Sequence, residues 1–80
     1  MSVTVLLFAS YAEALGTPRL DVDITAGETV MSLLGRLRAR AGAHALPPQP
    51  LVAVNERYAG AAQALRPGDT VAIIPPVAGG

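Results

Sequence analysis

Apolar and polar positions change period several times along the chain, and each change marks an element. Residues 3–9, "VTVLLFA", form a continuous apolar run rich in β-branched residues, consistent with a central strand. Strand alternation places Val3, Val5 and Leu7 on one face and Thr4, Leu6 and Phe8 on the other. "SYAEALG" reads as a short helix, with Ser10 as N-cap, Glu13 completing a capping box and Gly16 ending it. Thr17-Pro18 is a break. "LDVDI" then alternates with period two. Leu20, Val22 and Ile24 point inward, and Asp21 and Asp23 guard a wet edge against pairing with another chain.

The period lengthens in "TAGETVMSLLGRLRARAG", where Val30, Leu33, Leu34, Leu37 and Ala41 recur at the spacing of one buried helical stripe. Thr29 is the expected N-cap and Gly42 the expected stop. Arg36, Arg38 and Arg40 gather toward the C-terminal end, where they suit the helix dipole and read as a solvated face, with a partner-binding arginine patch as the secondary reading. "AHALPPQP" is a loop, because three prolines in four residues suit neither helix nor ladder. "LVAVN" is a short strand stopped by Asn55, and "ERYAGAAQAL" is ambiguous, a short strand through Arg57 and Tyr58 followed by a loop. "RPGD" is a turn with Pro67 second and Gly68 third, as in type II, and "TVAIIP" is the last strand.

One long amphipathic helix against one mixed sheet is an α+β arrangement. The element order matches a ubiquitin-like β-grasp, with the first and last strands parallel at the centre of the sheet. A ferredoxin-like sandwich is the runner-up, but it calls for two comparable helices. The expected division is a β-grasp domain over residues 1–74 and an extended tail over 75–80.

Composition narrows the function. The chain has 80 residues, six basic and six acidic, with zero formal net charge, which argues against nucleic acid as a partner. All six basic residues are arginine, and the absence of cysteine removes disulfides, thiolate nucleophiles and zinc–thiolate sites. No segment approaches the ~20 apolar residues of a membrane span. The apolar start lacks the basic region and length of a signal peptide, so a cytoplasmic protein without membrane partners is expected. At 51% apolar residues the chain is hydrophobic for its size, which is consistent either with its many alanines or with a partner covering an apolar face.

Candidate chemistry is sparse. His44 stands alone beside the proline-rich loop and builds no metal site by itself. Asp21 and Asp23 share a strand face but suggest no third ligand, and the glycines of "AGETV" and "RPGD" lack the lysine and spacing of a phosphate loop. The ending "PPVAGG" remains. A frayed tail accounts for two terminal glycines, but Pro75 and Pro76 cannot donate to a ladder, so the strand must stop there. They also favour extended polyproline II, in which six residues reach about 19 Å at ~3.1 Å each. The tail starts stiff and ends without side chains, a shape suited to threading a carboxylate into a narrow pocket.

These pieces resemble the MoaD family, the small sulfur-carrier subunits of molybdopterin synthase. The resemblance runs from Val3 to Gly80 through "VLLFASYAEALG", "ETVMSLL", "LVAVN" and "RPGDTVAIIPPVAGG". It implies a β-grasp fold and a terminal Gly80 that an ATP-using, ubiquitin-activating-like adenylyltransferase activates. It implies that a sulfurtransferase supplies sulfur to form a thiocarboxylate, and that no cofactor is held stably. The tail would enter the synthase large subunit, in a heterotetramer, and give its sulfur to a cyclic pyranopterin monophosphate. By the same resemblance Phe8, Tyr58 and Ile74 fall at partner-contact positions, and Pro75, Pro76, Val77, Ala78 and Gly79 form the inserted tail. From the residues alone Phe8 and Ile74 serve equally as core, whereas Tyr58, in a polar loop, is the stronger surface candidate. One departure is Ala12, where many family members have an arginine before the glutamate.

Other Gly-Gly carriers serve thiazole, tRNA thiolation and cysteine pathways. A ubiquitin-like modifier joined to target lysines and a plain interaction domain with an idle tail are the readings from other classes. Sulfur at the C-terminus, amide linkage to other proteins, and full activity without the glycines separate the three.

Overall fold

The computed structural model describes residues 1–41 and 50–75. The expectations for Gly42, His44 and the proline-rich loop, and for the tail from Pro76 onward, lie outside the described residues. In chain order the elements are β1 (Ser2–Leu7), α1 (Ser10–Leu15), β2 (Arg19–Asp23), α2 (Val30–Ala41), β3 (Leu51–Val54), β4 (Arg57–Tyr58) and β5 (Thr70–Ile74). The strands form one sheet in the order β2-β1-β5-β3-β4. β1 and β5 run parallel at its centre, pairing Val5 with Val71 and Leu7 with Ile73. β2 lies antiparallel on β1, β3 on β5, and β4 on β3. This is the β-grasp order expected from the sequence.

The alternation in the strands decides which face carries the core. Val3, Val5 and Leu7 of β1, Val22 of β2, Val52 and Val54 of β3, and Val71 and Ile73 of β5 are buried. Val30, Leu33, Leu34 and Leu37 of α2, the predicted stripe, belong to the same core. Tyr11 of α1 and Leu65, from the segment between β4 and β5, complete it.

The start of α2 is held partly from outside the helix. Thr29 caps as predicted, with the Ser32 N–H donating to Thr29 Oγ1 at 3.2 Å. The first two helical N–H groups, those of Val30 and Met31, donate instead to the carbonyls of Gln63 and Ala61, both at 2.9 Å. The Leu65 N–H returns a bond to the Glu28 carbonyl at 2.7 Å. The segment that was ambiguous in the sequence therefore continues past β4 as a backbone strap, which satisfies amides the helix itself leaves open. Gly68 has φ 86 and the Asp69 N–H reaches the Arg66 carbonyl at 3.1 Å, as a type II turn requires.

Two local expectations need correction. Ser10 is not the cap of α1: it is the first helical residue, and Ala9 precedes it with φ 50, ψ −126 and no side-chain cap. The Tyr11 N–H bonds to the Phe8 carbonyl at 3.0 Å, so residues 8–11 form a tight type II′-like turn whose geometry favours glycine at position 9. Gly16 ends the helix in the left-handed region, as expected.

Arg36, in turn, is more than a solvated, dipole-matched charge. Its Nη1 donates to both Glu28 carboxylate oxygens, at 2.9 and 3.0 Å, and to the Asp23 carbonyl at 2.8 Å. Glu28 is buried, its side chain only 4% exposed, and it also accepts from the Thr25 N–H and the Ser32 hydroxyl. Burial pushes the Glu28 pKa up, but the bonds from Arg36, Thr25 and Ser32 and the arginine's charge outweigh it and hold the carboxyl below its ordinary value. The sequence carried a signal for this cluster: Thr25 and Glu28 stand at capping-box spacing before an apolar run.

Candidate functional site

β5 ends at Ile74, and Pro75 follows outside the ladder, as a residue without an N–H must. Beside that exit the outer face of the sheet, away from α2, is apolar and open. Its floor is low at two small residues, Ala72 of β5 and its ladder partner Ala53 of β3, with Leu6 of β1 on the other side of Ala72. Larger side chains stand around this floor and leave a groove of about 660 Å³. Phe8, Tyr58, Ile74 and Pro75 line it together with Leu6 and Glu56. Phe8 is 46% exposed and Tyr58 76%, while Ile74 and Pro75 are half-buried. Ala53 is buried yet lies outside the core cluster, because its partner across the ladder is Tyr58 on this outer face.

Of the residues singled out in the sequence, Phe8, Tyr58, Ile74 and Pro75 thus meet in one groove beside the end of β5. The choice left open for Phe8 and Ile74 is decided: both face outward. Pro76, Val77, Ala78, Gly79 and Gly80 lie outside the described residues. Leu6, Ala53, Glu56 and Ala72 were not singled out. Period-two alternation already placed Leu6 on the face of Phe8, and the strand geometry of β5 puts Ala72 on that of Ile74, but the joining of these faces is a matter of strand order.

The hairpin that carries Tyr58 has a two-residue turn, Asn55-Glu56, between the paired Val54 and Arg57. Both turn residues have positive φ, 51 and 71, as a right-twisted hairpin demands, although neither is glycine. Asn55 is tied to β5: its backbone N–H donates to the Thr70 carbonyl at 2.8 Å, and the Thr70 N–H donates to Asn55 Oδ1 at 3.0 Å. Asn55 Nδ2 also donates to Asp69 Oδ1 at 2.9 Å. One asparagine therefore locks the hairpin to the turn before the last strand and sets where Tyr58 stands. Among the described residues no group of three or more His, Asp or Glu side chains is arranged to hold a metal ion, and no helix is long and apolar enough to cross a membrane.

The sequence profile of the ThiS family matches residues 5–80. The chain belongs to this family. Within it, the chain is similar over its whole length to the molybdopterin synthase sulfur carrier subunit of Drosophila erecta, with 36% identity and 92% of that protein covered. The resemblance to MoaD proteins is borne out. Among solved structures, small archaeal modifier protein 1 of Haloferax volcanii superposes with a TM-score of 0.85 at 27% identity, covering 95% of this chain and 98% of that one. The complex of subunits 1 and 2 of molybdopterin-converting factor from Helicobacter pylori contains a chain of the same fold, with a TM-score of 0.71 at 21% identity and full coverage of both chains.

Proposed function

We propose that this protein is the sulfur-carrier subunit of a molybdopterin synthase, acting in the cytoplasm through a thiocarboxylate on Gly80. The observation that carries the reading is the full-length similarity to a curated sulfur carrier subunit of that synthase. The apolar groove at the root of the tail supports it, since a carrier with few catalytic groups of its own must dock on proteins that supply them. A carboxylate is a poor electrophile. In the proposed cycle the Gly80 carboxylate attacks the α-phosphate of ATP on a ubiquitin-activating-like enzyme, releasing pyrophosphate. A sulfurtransferase persulfide then displaces AMP from the acyl-adenylate to give an acyl disulfide, and a thiol reductant cleaves its S–S bond, leaving one sulfur on the Gly80 carbonyl and forming a disulfide with the sulfurtransferase. The resulting thiocarboxylate enters the synthase large subunit, its sulfur bonds to a cyclic pyranopterin monophosphate, and water hydrolyses the thioester so formed, leaving the sulfur on the pterin and supplying the oxygen that regenerates the carboxylate.

In this scheme Phe8, Tyr58 and Ile74 seat the partner, Pro75 and Pro76 aim the tail, and Val77, Ala78 and Gly79 pass through the partner's channel. Residues 75–80 act as the tail of a domain formed by residues 1–74. The experiment is intact-mass analysis after incubation with ATP, the activating enzyme and a sulfur source, followed by addition of the large subunit and pyranopterin. The expected result is replacement of one terminal oxygen by sulfur, reversed in the second step. A mass unchanged under conditions that charge an authentic carrier would overturn the reading.

The likeness to small archaeal modifier protein 1 favours a second reading, in which Gly80 becomes amide-linked to other proteins. Mass spectrometry of purified conjugates from cells separates the two. A Gly-Gly remnant on lysines of other proteins supports conjugation, and a free thiocarboxylate supports sulfur transfer.

A further inference from the structure

The β3–β4 hairpin separates two depressions of opposite character, and Tyr58 lines both. On one side is the apolar groove with Glu56 at its rim. On the other is a polar cavity of about 750 Å³ lined by Asn55, Arg57, Tyr58, Gln63, Arg66 and Asp69, among others. Its two guanidinium groups come from different segments, Arg57 from β4 and Arg66 from the turn before β5. Neither forms an ion pair with any described residue. The one carboxylate in the cavity is already engaged: Asp69 Oδ1 accepts from Asn55 Nδ2 at 2.9 Å, and Asp69 Oδ2 accepts from the Arg66 backbone N–H at 2.8 Å. Gln63 lends its backbone carbonyl to α2, so the segment that carries it into the cavity wall is fixed.

Two exposed arginines line this one cavity, and against the single Asp69 carboxylate they leave it with a net positive charge. Arginine presents a planar fork that matches a carboxylate with two parallel hydrogen bonds. A protein seated on the apolar groove must cover Tyr58 and therefore reaches the lip of this cavity. We propose that the Arg57–Arg66 cavity is a second docking site that takes an acidic side chain of the same protein that covers the apolar groove. This rests on the reading of the groove as the docking face for the synthase large subunit. The two sites do different work. Apolar burial supplies most of the affinity, while the arginines steer the encounter and set which way round the partner sits. Glu56, on the opposite side of the hairpin, makes the pattern directional: a partner turned end for end would bring its acid against a carboxylate.

The test measures association of the full chain with the large subunit of molybdopterin synthase from the same organism, by stopped-flow and calorimetry across a range of salt. The variant is Arg57→Glu with Arg66→Glu. The control is Arg19→Glu with Arg40→Glu, which changes net charge equally at two exposed positions elsewhere. Thermal melts verify that both remain folded. At low salt the cavity variant is expected to associate at least ~10-fold more slowly than the control and to lose most of its salt dependence. Exchanging one acidic residue of the large subunit for arginine restores the rate. Wild-type binding with equal rates for the two variants would overturn the second site while leaving the docking groove intact. No binding by the wild-type chain would overturn the reading of the groove itself.

Discussion

The two faces of the sheet are built from the same strands with nearly the same residue types, yet they have opposite fates. On the inner face Val5, Val71 and Ile73 are fully buried beneath α2. One residue away along each strand, Leu6, Ala72 and Ile74 look outward and are only half-covered. Sheets with one wet face normally alternate apolar with polar positions. β2 does so, with Asp21 and Asp23 outward, whereas β1 and β5 do not toward their C-terminal ends. The apolar outer face lies where those ends meet, beside Pro75 at the end of β5. The core cluster lies on the inner face, and under the proposed function the outer patch is where a partner docks.

The strongest test of this contrast is a matched pair of truncations. Leu33→Ala removes a fully buried side chain between α2 and the sheet, and a loss of about 3–5 kcal/mol is expected. That is much of the total stability of a domain this small. Leu6→Ala, on the outer face, is expected to cost about 1 kcal/mol or less. Urea denaturation of both variants reads the difference, and similar losses would show that the outer face also serves the core. A smaller effect, on binding rather than folding, is expected from Tyr58→Glu. Its affinity for the large subunit should fall roughly 30-fold or more, as for an aromatic anchor. Its stability should stay within about 0.5 kcal/mol of wild type, because Tyr58 is 76% exposed. Unchanged affinity by calorimetry would place the docking face elsewhere.

Acid titration probes a third region, the ion pair at the rim of the inner layer. The folded-state pKa of Glu28 lies below its ordinary value of 4.5. Its contribution is therefore fully present above that value and is lost as pH falls through the lower folded-state value. Stability of the wild type should decline below about pH 4.5, and Glu28→Gln should lower neutral-pH stability while flattening that decline. Equal slopes for the two proteins would mean that other carboxylates govern the acid limb. The smallest effect is expected at Ala9, whose φ of 50 and ψ of −126 suit glycine. Ala9→Gly should raise stability by about 0.5–1 kcal/mol, visible as a melting temperature higher by a few degrees. A lower melting temperature would show that the turn carries no strain worth relieving.

Local pattern alone made much of this protein legible. The continuous apolar runs of β1 and β5, the period-two run in β2, the stripe through Val30, Leu33, Leu34 and Leu37, the Thr29 cap, the Gly16 stop and the turn at Gly68 each depend on a few neighbouring residues. The physical reasons are correspondingly local: side-chain direction along a strand or helix, one capping bond, one backbone angle. Phe8, Tyr58 and Ile74 were legible as candidates on the strength of family resemblance, but not as members of one site.

Only the tertiary structure decided the rest, because it depends on groups far apart in the chain. The outward fate of Phe8 and Ile74 follows from α2 covering one face of a sheet in which β1 and β5 are neighbours. The groove exists because Ala72 and Ala53, 19 positions apart, fall opposite each other and leave the floor low. Asn55 reads in sequence as a strand stop, and its second task, holding the hairpin to Thr70 and Asp69, appears only when β3 lies beside β5. The first amides of α2 likewise find their acceptors at Gln63 and Ala61, more than 25 residues downstream. A chain can write its periodicities residue by residue, but a hydrogen-bond partner across the fold is chosen by packing, and packing is settled by the whole core at once.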